Sequence, residues 1–358
     1  MNPNLCVKLA DRLAALNENK GEVRQAIARV LEAPALVLGP EVDAFEAAFA
    51  RWLGVNTAVG VASGTDALAL ALRAAGVEPG ARVVVDALAG PAPLAALVRI
   101  GAIPVRVDVE PETLTLAPQA LKALLAGGER SQAMPRAVLA THRDGHPADL
   151  AALGALCAGH GLALVEDCTD AVGAALDGRR VGCTGLTAAF CFGPERSLGA
   201  LGRAGLVTST SPEIEASLRH MRDQVFDCPL DALQAAVLRA QLRSVDGAIL
   251  RRQSIALRYD TALAPLGIIV PTERSNATHA YCRYVIRVSQ PQAARAALTA
   301  LGLGAEACAP FGDADLSDAN APVARQAVAQ AVALPVYPQL PADHQRAVIT
   351  ALATALGR

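Results

Sequence analysis

Two aspartates, Asp167 and Asp170, follow the apolar run Leu162 to Val165. If that run is a strand of a parallel sheet, its carboxyl end is where such folds bind ligands. Two carboxylates there, with pKa values pushed apart by their surroundings, would divide acid and base roles. A second polar set, His142, Arg143, Asp144 and His146, follows the run Ala137 to Ala140 and falls on the same kind of loop. Either histidine of that set could shuttle a proton; the alternative for His142 is a structural role. Arg196 offers a guanidinium that can clamp a carboxylate or phosphate, or stabilise developing negative charge. Its alternative is an ion pair with Asp167 or Asp170. Cys191, between Phe190 and Phe192, is either a thiol activated beside Arg196 or an inert buried one. The chain has no H-E-x-x-H, P-loop or nucleophile-elbow motif, and its eight cysteines are scattered without a CxxC pair. No metal site is expected from that pattern.

Composition narrows the classes. The 358 residues carry 32 basic and 34 acidic side chains, and all but three of the basic ones are arginine. The exceptions are Lys8, Lys20 and Lys122. A net charge of -2 argues against a nucleic-acid or membrane-surface partner, and 53% hydrophobic with 18% charged residues describes a globular chain. No apolar run reaches the roughly 18 residues of a membrane helix. The first twenty residues read as a charged amphipathic helix and not as an export signal, so cytoplasmic location with reduced thiols is expected.

The elements that must position these groups alternate. Helices are expected over Gly21–Ala33, Glu41–Leu53, Ala67–Ala75 and Pro118–Leu125. Ser63-Gly64-Thr65-Asp66 supplies capping residues ahead of the third of these. Strands are expected over Arg82–Val85, Val105–Val109, Ala137–Ala140, Leu162–Val165, Ala188–Phe192 and Leu206–Thr208. This alternation predicts an α/β fold with a largely parallel sheet covered on both faces. A long helix, Leu230 to Tyr259, then bridges to a smaller unit. That unit has a strand at Tyr284–Val288, helices at Gln292–Leu301 and Ala342–Leu356, and a polar loop near Gly312–Asn320. Two domains are expected, 1–245 and 246–358.

Several stretches are familiar. GPEVDAFEAAFARWLG (Gly39–Gly54), SGTDALALALRAAGVEPG (Ser63–Gly80), GAIPVRVDVEPETLTL (Gly101–Leu116), GHPADL (Gly145–Leu150), VEDCTDAVGA (Val165–Ala174) and GRRVGCTG (Gly178–Gly185) resemble the DegT/DnrJ/EryC1/StrS sugar aminotransferases. So do SLGALG (Ser197–Gly202) and LPVYPQL (Leu334–Leu340). The resemblance implies the type I pyridoxal phosphate (PLP) fold: a large domain with a mixed seven-stranded sheet, a small C-terminal α/β domain, and a dimer with shared active sites. It implies that Asp167 pairs with the pyridine nitrogen and that Ser63, Gly64 and Thr65 open the helix whose N-terminus holds the phosphate. It also implies departures. The position of the Schiff-base lysine is Arg196, which stays protonated and is a poor nucleophile. The phosphate-contacting serine is Cys191, the aromatic segment over the ring is Leu88-Ala89-Gly90, and the glutamine near the ring oxygen is Asp170. The asparagine of the cross-subunit pair is Asp227, its arginine is Pro229, and an acidic position is Arg203.

Three functions follow as expectations. The first is a PLP-independent enzyme acting on a small polar or anionic, sugar- or nucleotide-linked metabolite, with Arg196, Asp167, Asp170 and His142 as its chemistry. Ser63, Gly64, Thr65, Cys191, Arg203 and Asp227 would bind its ligand. The second is a non-catalytic subunit paired with an active paralogue instead of a homodimer. The third uses PLP, or its amine form PMP, without a covalent lysine.

Overall fold

The computed structural model describes residues 7–9, 11–127, 134–304, 308–311, 316–317 and 319–357. The strands in chain order are β1 (Thr57–Val61), β2 (Arg82–Asp86), β3 (Ile103–Val107), β4 (Ala137–Thr141), β5 (Ala163–Asp167), β6 (Ala175–Leu176), β7 (Arg179–Arg180), β8 (Thr187–Cys191), β9 (Gly205–Ser209), β10 (Ala277–Thr278), β11 (Tyr284–Arg287) and β12 (Ala331–Leu334). The helices are α1 (Arg12–Glu18), α2 (Lys20–Leu31), α3 (Pro40–Leu53), α4 (Gly64–Ala74), α5 (Pro91–Arg99), α6 (Pro118–Gly127), α7 (Leu150–His160), α8 (Glu213–His220), α9 (Ala232–Leu242), α10 (Val245–Leu263), α11 (Pro291–Thr299), α12 (Pro322–Gln330) and α13 (Ala342–Ala355).

Seven strands form one sheet in the order β1-β9-β8-β5-β4-β2-β3. Only β9 runs against its neighbours, pairing antiparallel with both β1 and β8. The fold is the expected type I aminotransferase-like α/β architecture. Strands β1, β4 and β9 are buried along their whole length, which is why they read as apolar runs without alternation. Helix α4 is buried from Ala67 to Leu72 against one face. On the other face, Phe45 and Phe49 of α3 meet Phe190 and Phe192 beside β8. The Phe49–Phe190 centroids lie 5.0 Å apart, edge to face.

The parallel strands finish at one edge, and their last residues turn polar there. β2 ends in Asp86, β4 in Thr141 and β5 in Asp167, with Thr141 and Asp167 directly opposite in register. The polar end residue of each apolar strand is what builds the site.

The single helix expected over Leu230–Tyr259 is two helices. Ser244 breaks it: its N–H and its hydroxyl both donate to the Gln241 carbonyl, at 3.0 and 2.9 Å, and Asn19 Nδ2 holds the same hydroxyl at 3.1 Å. A serine hydroxyl that captures a helical carbonyl competes with the i→i−4 ladder. Helix α10 then spans two cores. Val245 and Ile249 pack with the sheet-side cluster, whereas Ile255, Ala256, Tyr259 and Leu263 pack with β11, β12, α11 and α13. The expected polar loop at 312–320 lies mostly outside the described residues, as does part of the N-terminal segment. No described helix is long and apolar enough to cross a membrane.

Phe49 has no exposed surface and touches three aromatic rings besides Trp52's own neighbourhood on α3. Phe49→Ala is expected to cost about 3–5 kcal/mol in urea unfolding. Leu257→Ala, at a position exposed on α10, is expected to stay within about 0.5 kcal/mol of the parent.

Candidate active site

A cavity of about 620 Å³ opens at the carboxyl ends of β2, β4 and β5. Leu88, Ala89 and Gly90 form one wall, and Phe311 arrives from the C-terminal part of the chain. Polar groups reach it from Thr141, Asp167, Thr169 and Asp170, together with Arg106, Arg143, Arg196 and Arg283.

Asp167 is 1% exposed. Its Oδ1 accepts from the Thr169 N–H at 3.0 Å and from the Thr169 hydroxyl at 2.6 Å, which fixes the carboxylate plane. Its Oδ2 is buried and has no hydrogen-bond partner among the described residues. Thr141 Oγ1, opposite on β4, is buried and unpartnered as well. Two unsatisfied polar atoms side by side in a cavity mark a place where a ligand's polar edge belongs.

Asp170 and Arg196 do come together, as an ion pair. Asp170 is shared: Arg283 Nη2 donates to its Oδ2 at 2.8 Å. Of the alternatives for Arg196, the structure gives the ion pair with Asp170, not Asp167, and leaves the cavity beside it open. Arg143 Nη2 donates to the fully buried Asp86 at 2.5 Å. Arg106, Thr141, Thr169, Arg283 and Phe311 are lining residues that sequence reasoning did not single out. Asp86 and Thr141 had a signal, since each is the polar terminus of an apolar strand. Arg283 and Phe311 had none, because only the tertiary fold brings the C-terminal unit over the strand ends.

His142 lies behind the cavity with no exposed surface. Its Nδ1 accepts from the Ala148 N–H at 3.0 Å, so its Nε2–H donates to Glu166 Oε2, also at 3.0 Å. Glu166 further accepts from the N–H groups of Gly182, Thr184 and Gly185 at 2.6–2.8 Å. Its pKa is held below the ordinary value despite burial, by the His142 hydrogen bond and by the Gly185 and Gly182 N–H groups. His142, Glu166 and Cys168 are close enough to suggest metal ligation. The nitrogen and oxygen lone pairs are instead committed to hydrogen bonds that clamp the loop before β8 behind Asp167. A catalytic role for His142 finds no access to the cavity.

Ser63 caps α4, its hydroxyl accepting from the Asp66 N–H at 3.2 Å. Gly64 packs on Cys191 so tightly that a Cβ at Gly64 would lie 2.5 Å from the cysteine's own Cβ. Burial raises the Cys191 pKa, with Glu195 adding to it, so the activated-thiol reading fails. Ser63, Gly64, Thr65 and Cys191 group together at the start of α4, outside the cavity lining. Arg203 and Asp227 are exposed and do not join the cavity; Asp227 adopts φ +45°. Lys8, Lys20 and Lys122 are all exposed and none lines the cavity.

His146 and His279, which do not line the central cavity, pack edge to face at 5.4 Å, and His279 stacks on Tyr281. Burial, helped by the Arg274 charge, lowers the His146 pKa to about 4, and burial pushes His279 well below the ordinary value. Folded pKa values below the unfolded 6.5 mean stability is complete above pH 6.5 and drains as pH falls toward about 4. Unfolding free energies from urea titrations at pH 7.5 and 5.0 should therefore differ by up to about 2 kcal/mol on account of His146, and His146→Gln should flatten that part of the slope.

Known proteins bear on this geometry. The model of the DegT/DnrJ/EryC1/StrS aminotransferase family matches residues 17–353. The chain is 36% identical to the erythromycin biosynthesis sensory transduction protein EryC1 of Saccharopolyspora erythraea, over 96% of this chain and 99% of that protein. It is 35% identical to a dTDP-3-amino-3,4,6-trideoxy-alpha-D-glucose transaminase of Streptomyces venezuelae, over 97% of this chain and 95% of that protein. The solved structure of S. venezuelae DesV in complex with a ketimine intermediate superposes with a TM-score of 0.88 at 35% identity, covering 97% of this chain and 98% of that one. These findings overturn the expectation of a PLP-independent, cofactor-free enzyme. They also run against reading Arg196 at the lysine position as an exit from pyridoxal chemistry: a relative 35% identical over 97% of this chain is named a transaminase.

Proposed function

Because the chain belongs to the DegT/DnrJ/EryC1/StrS aminotransferase family, we propose that it serves amino-group chemistry on a nucleotide-linked sugar, with PLP or PMP seated on Asp167. The observation that carries this reading is the buried, unpartnered Asp167 Oδ2 beside the unpartnered Thr141 Oγ1 in a cavity of about 620 Å³. That oxygen fits a protonated ring nitrogen, and its partner oxygen is already fixed by Thr169. The sugar comes from the names of the relatives, several of which are nucleotide-sugar transaminases.

The covalent part of the family pattern is where this chain differs in our reading. The position that resembles the anchoring lysine is Arg196, tied to Asp170, and the three lysines lie elsewhere. We therefore propose that the group is held without a bond to a lysine side chain. When bound, it supplies an electron sink for moving an amino group between carbons. Asp167 would keep its ring nitrogen charged. The family resemblance would put its phosphate at Gly64 and Thr65, at the N-terminus of α4 outside the described cavity lining. Arg196, a fixed cation, would hold an anionic group of the substrate and not act as a nucleophile. The division at 245/246 and a homodimer complete the proposal; exposed Leu31, Leu36 and Val37 offer an apolar surface for the latter.

Thermal denaturation with and without PMP tests this. A ligand at a hundredfold its Kd adds about 2.7 kcal/mol, a shift of several degrees. The shift is expected for the parent chain and for Arg196→Gln, and it should vanish in Asp167→Ala. Arg196→Lys should additionally gain a borohydride-stable mass increase with PLP that the parent lacks. No shift in the parent overturns the reading.

A further inference from the structure

Arg143 stands at the side of the central cavity where β2 and β4 end. It is buried, and its Nη2 donates at 2.5 Å to Oδ1 of Asp86, the fully buried last residue of β2. Its backbone is pinned as well. The carbonyl of Asp144 accepts from the N–H groups of Cys282 and Arg283 at 2.9 and 3.3 Å, and the Gly145 carbonyl accepts from the Ala280 N–H at 2.9 Å. A Cβ at Gly145, where φ is +100°, would lie 2.8 Å from the Tyr281 nitrogen, so glycine is what lets the two segments approach this closely. Arg143 is therefore held at both ends before any ligand arrives. A guanidinium carries more N–H donors than one carboxylate oxygen uses. Among the described residues Asp86 is the one hydrogen-bond acceptor that Arg143 meets, and its Nε is buried without a partner.

Charge around this cavity closes on itself. The guanidinium groups on its lining are those of Arg106, Arg143, Arg196 and Arg283. Asp86 pairs with Arg143, and Asp170 pairs with both Arg196 and Arg283. The buried Asp144 stands 3.4 Å from Arg283, and Asp167 faces the space itself. Each cation of the lining is thus matched in number by a carboxylate, and an ionised acid on the sugar would have to draw its cation away from an aspartate. A ring face stripped of oxygen fares no better. It would desolvate the Arg143 donors and the unpartnered Thr141 hydroxyl without replacing their water. A neutral hydroxyl meets both conditions: it accepts from a guanidinium N–H, donates to a neighbouring oxygen and adds no charge.

We propose that Arg143, held by Asp86, selects the sugar: a neutral hexose that keeps its ring hydroxyl groups, in preference to a deoxygenated sugar or a uronate. This rests on the reading of the substrate as a nucleotide-linked sugar. Arg143 makes the contact, and Asp86, which is not on the lining, fixes the fork from behind. A site whose buried donors are aimed at a hydroxyl discriminates strongly against the analogue that lacks it, because the donors are then left unpaired.

The test is isothermal titration of the full chain with two pairs of probes, each pair sharing a nucleotide: dTDP-glucose against dTDP-3-amino-3,4,6-trideoxyglucose, and UDP-glucose against UDP-glucuronate. The glucose member of each pair is expected to bind about tenfold or more tightly. Arg143→Leu is expected to bring the dTDP pair to within about threefold, with far-UV circular dichroism showing that the chain is folded. Should that variant fail to fold, Arg143→Lys carries the test, because its ammonium still pairs with Asp86 but lacks the planar fork. The preference for dTDP-glucose should then shrink by about threefold or more. Equal affinity within either pair, a preference for the trideoxy sugar or the glucuronate, an undiminished preference in the folded variant, or no binding of any of the four probes overturns the selection. The thermal shift with PMP, measured in parallel, separates the two ideas. A PMP shift without the hydroxyl preference removes this selection and leaves the cofactor seat standing, and the hydroxyl preference without a PMP shift does the reverse.

Discussion

A carboxylate oxygen buried without a donor costs a fold several kcal/mol in a dry interior, and Asp167 keeps one at the floor of the central cavity. The rest of the site is arranged to keep that oxygen open and in place. Thr169 occupies the other oxygen twice, so the carboxylate cannot turn to satisfy itself. One residue earlier on β5, Glu166 points to the opposite side, as strand alternation requires, and collects His142 and three loop N–H groups. The adjacent acids of one strand thus do opposite work: Glu166 is saturated and holds the scaffold, and Asp167 is left half-satisfied and faces the ligand space.

The parallel sheet makes this economical. Strands β2, β4 and β5 run in one direction and end at one edge, so a single polar residue at each terminus gathers Asp86, Thr141 and Asp167 there. The C-terminal unit closes the space from above with Arg283 and Phe311, and α10 carries Arg252 into the joint between the parts. Charge is paired across the joint through Asp170, which both Arg196 and Arg283 share. The distribution is uneven, since Arg252 stays outside that network.

Much of this was legible in the residues. The apolar runs at 137–140, 162–165 and 188–192 are strands because both faces are covered, and their polar successors are the site. Other elements gave no period. Helix α7 is apolar on every side, and β1 is a short run with a glycine inside it. Helix α5 begins with two prolines in three residues. The break at Ser244 depends on Asn19, 225 positions away, and could not be read locally. His142, which follows a strand, was open to a proton-shuttle or a structural role, and it turns inward to Glu166. Arg203 and Asp227 were marked by motif position alone and lie at the surface. Family resemblance located the anchoring position at Arg196, but reading that arginine as the end of pyridoxal chemistry outran it. In the proposed reading the ring seat and the covalent anchor are separate devices, and Asp167 keeps the open, fixed oxygen that such a seat requires.

The claim that the seat works without the anchor is settled most directly by a crystal structure of the full chain grown with PMP. The account requires the ring nitrogen within hydrogen-bond distance of Asp167 Oδ2, Arg196 still paired with Asp170, and no bond between the ligand and any side chain. A ring bound away from Asp167, or a central cavity that stays empty at saturating PMP, would contradict it.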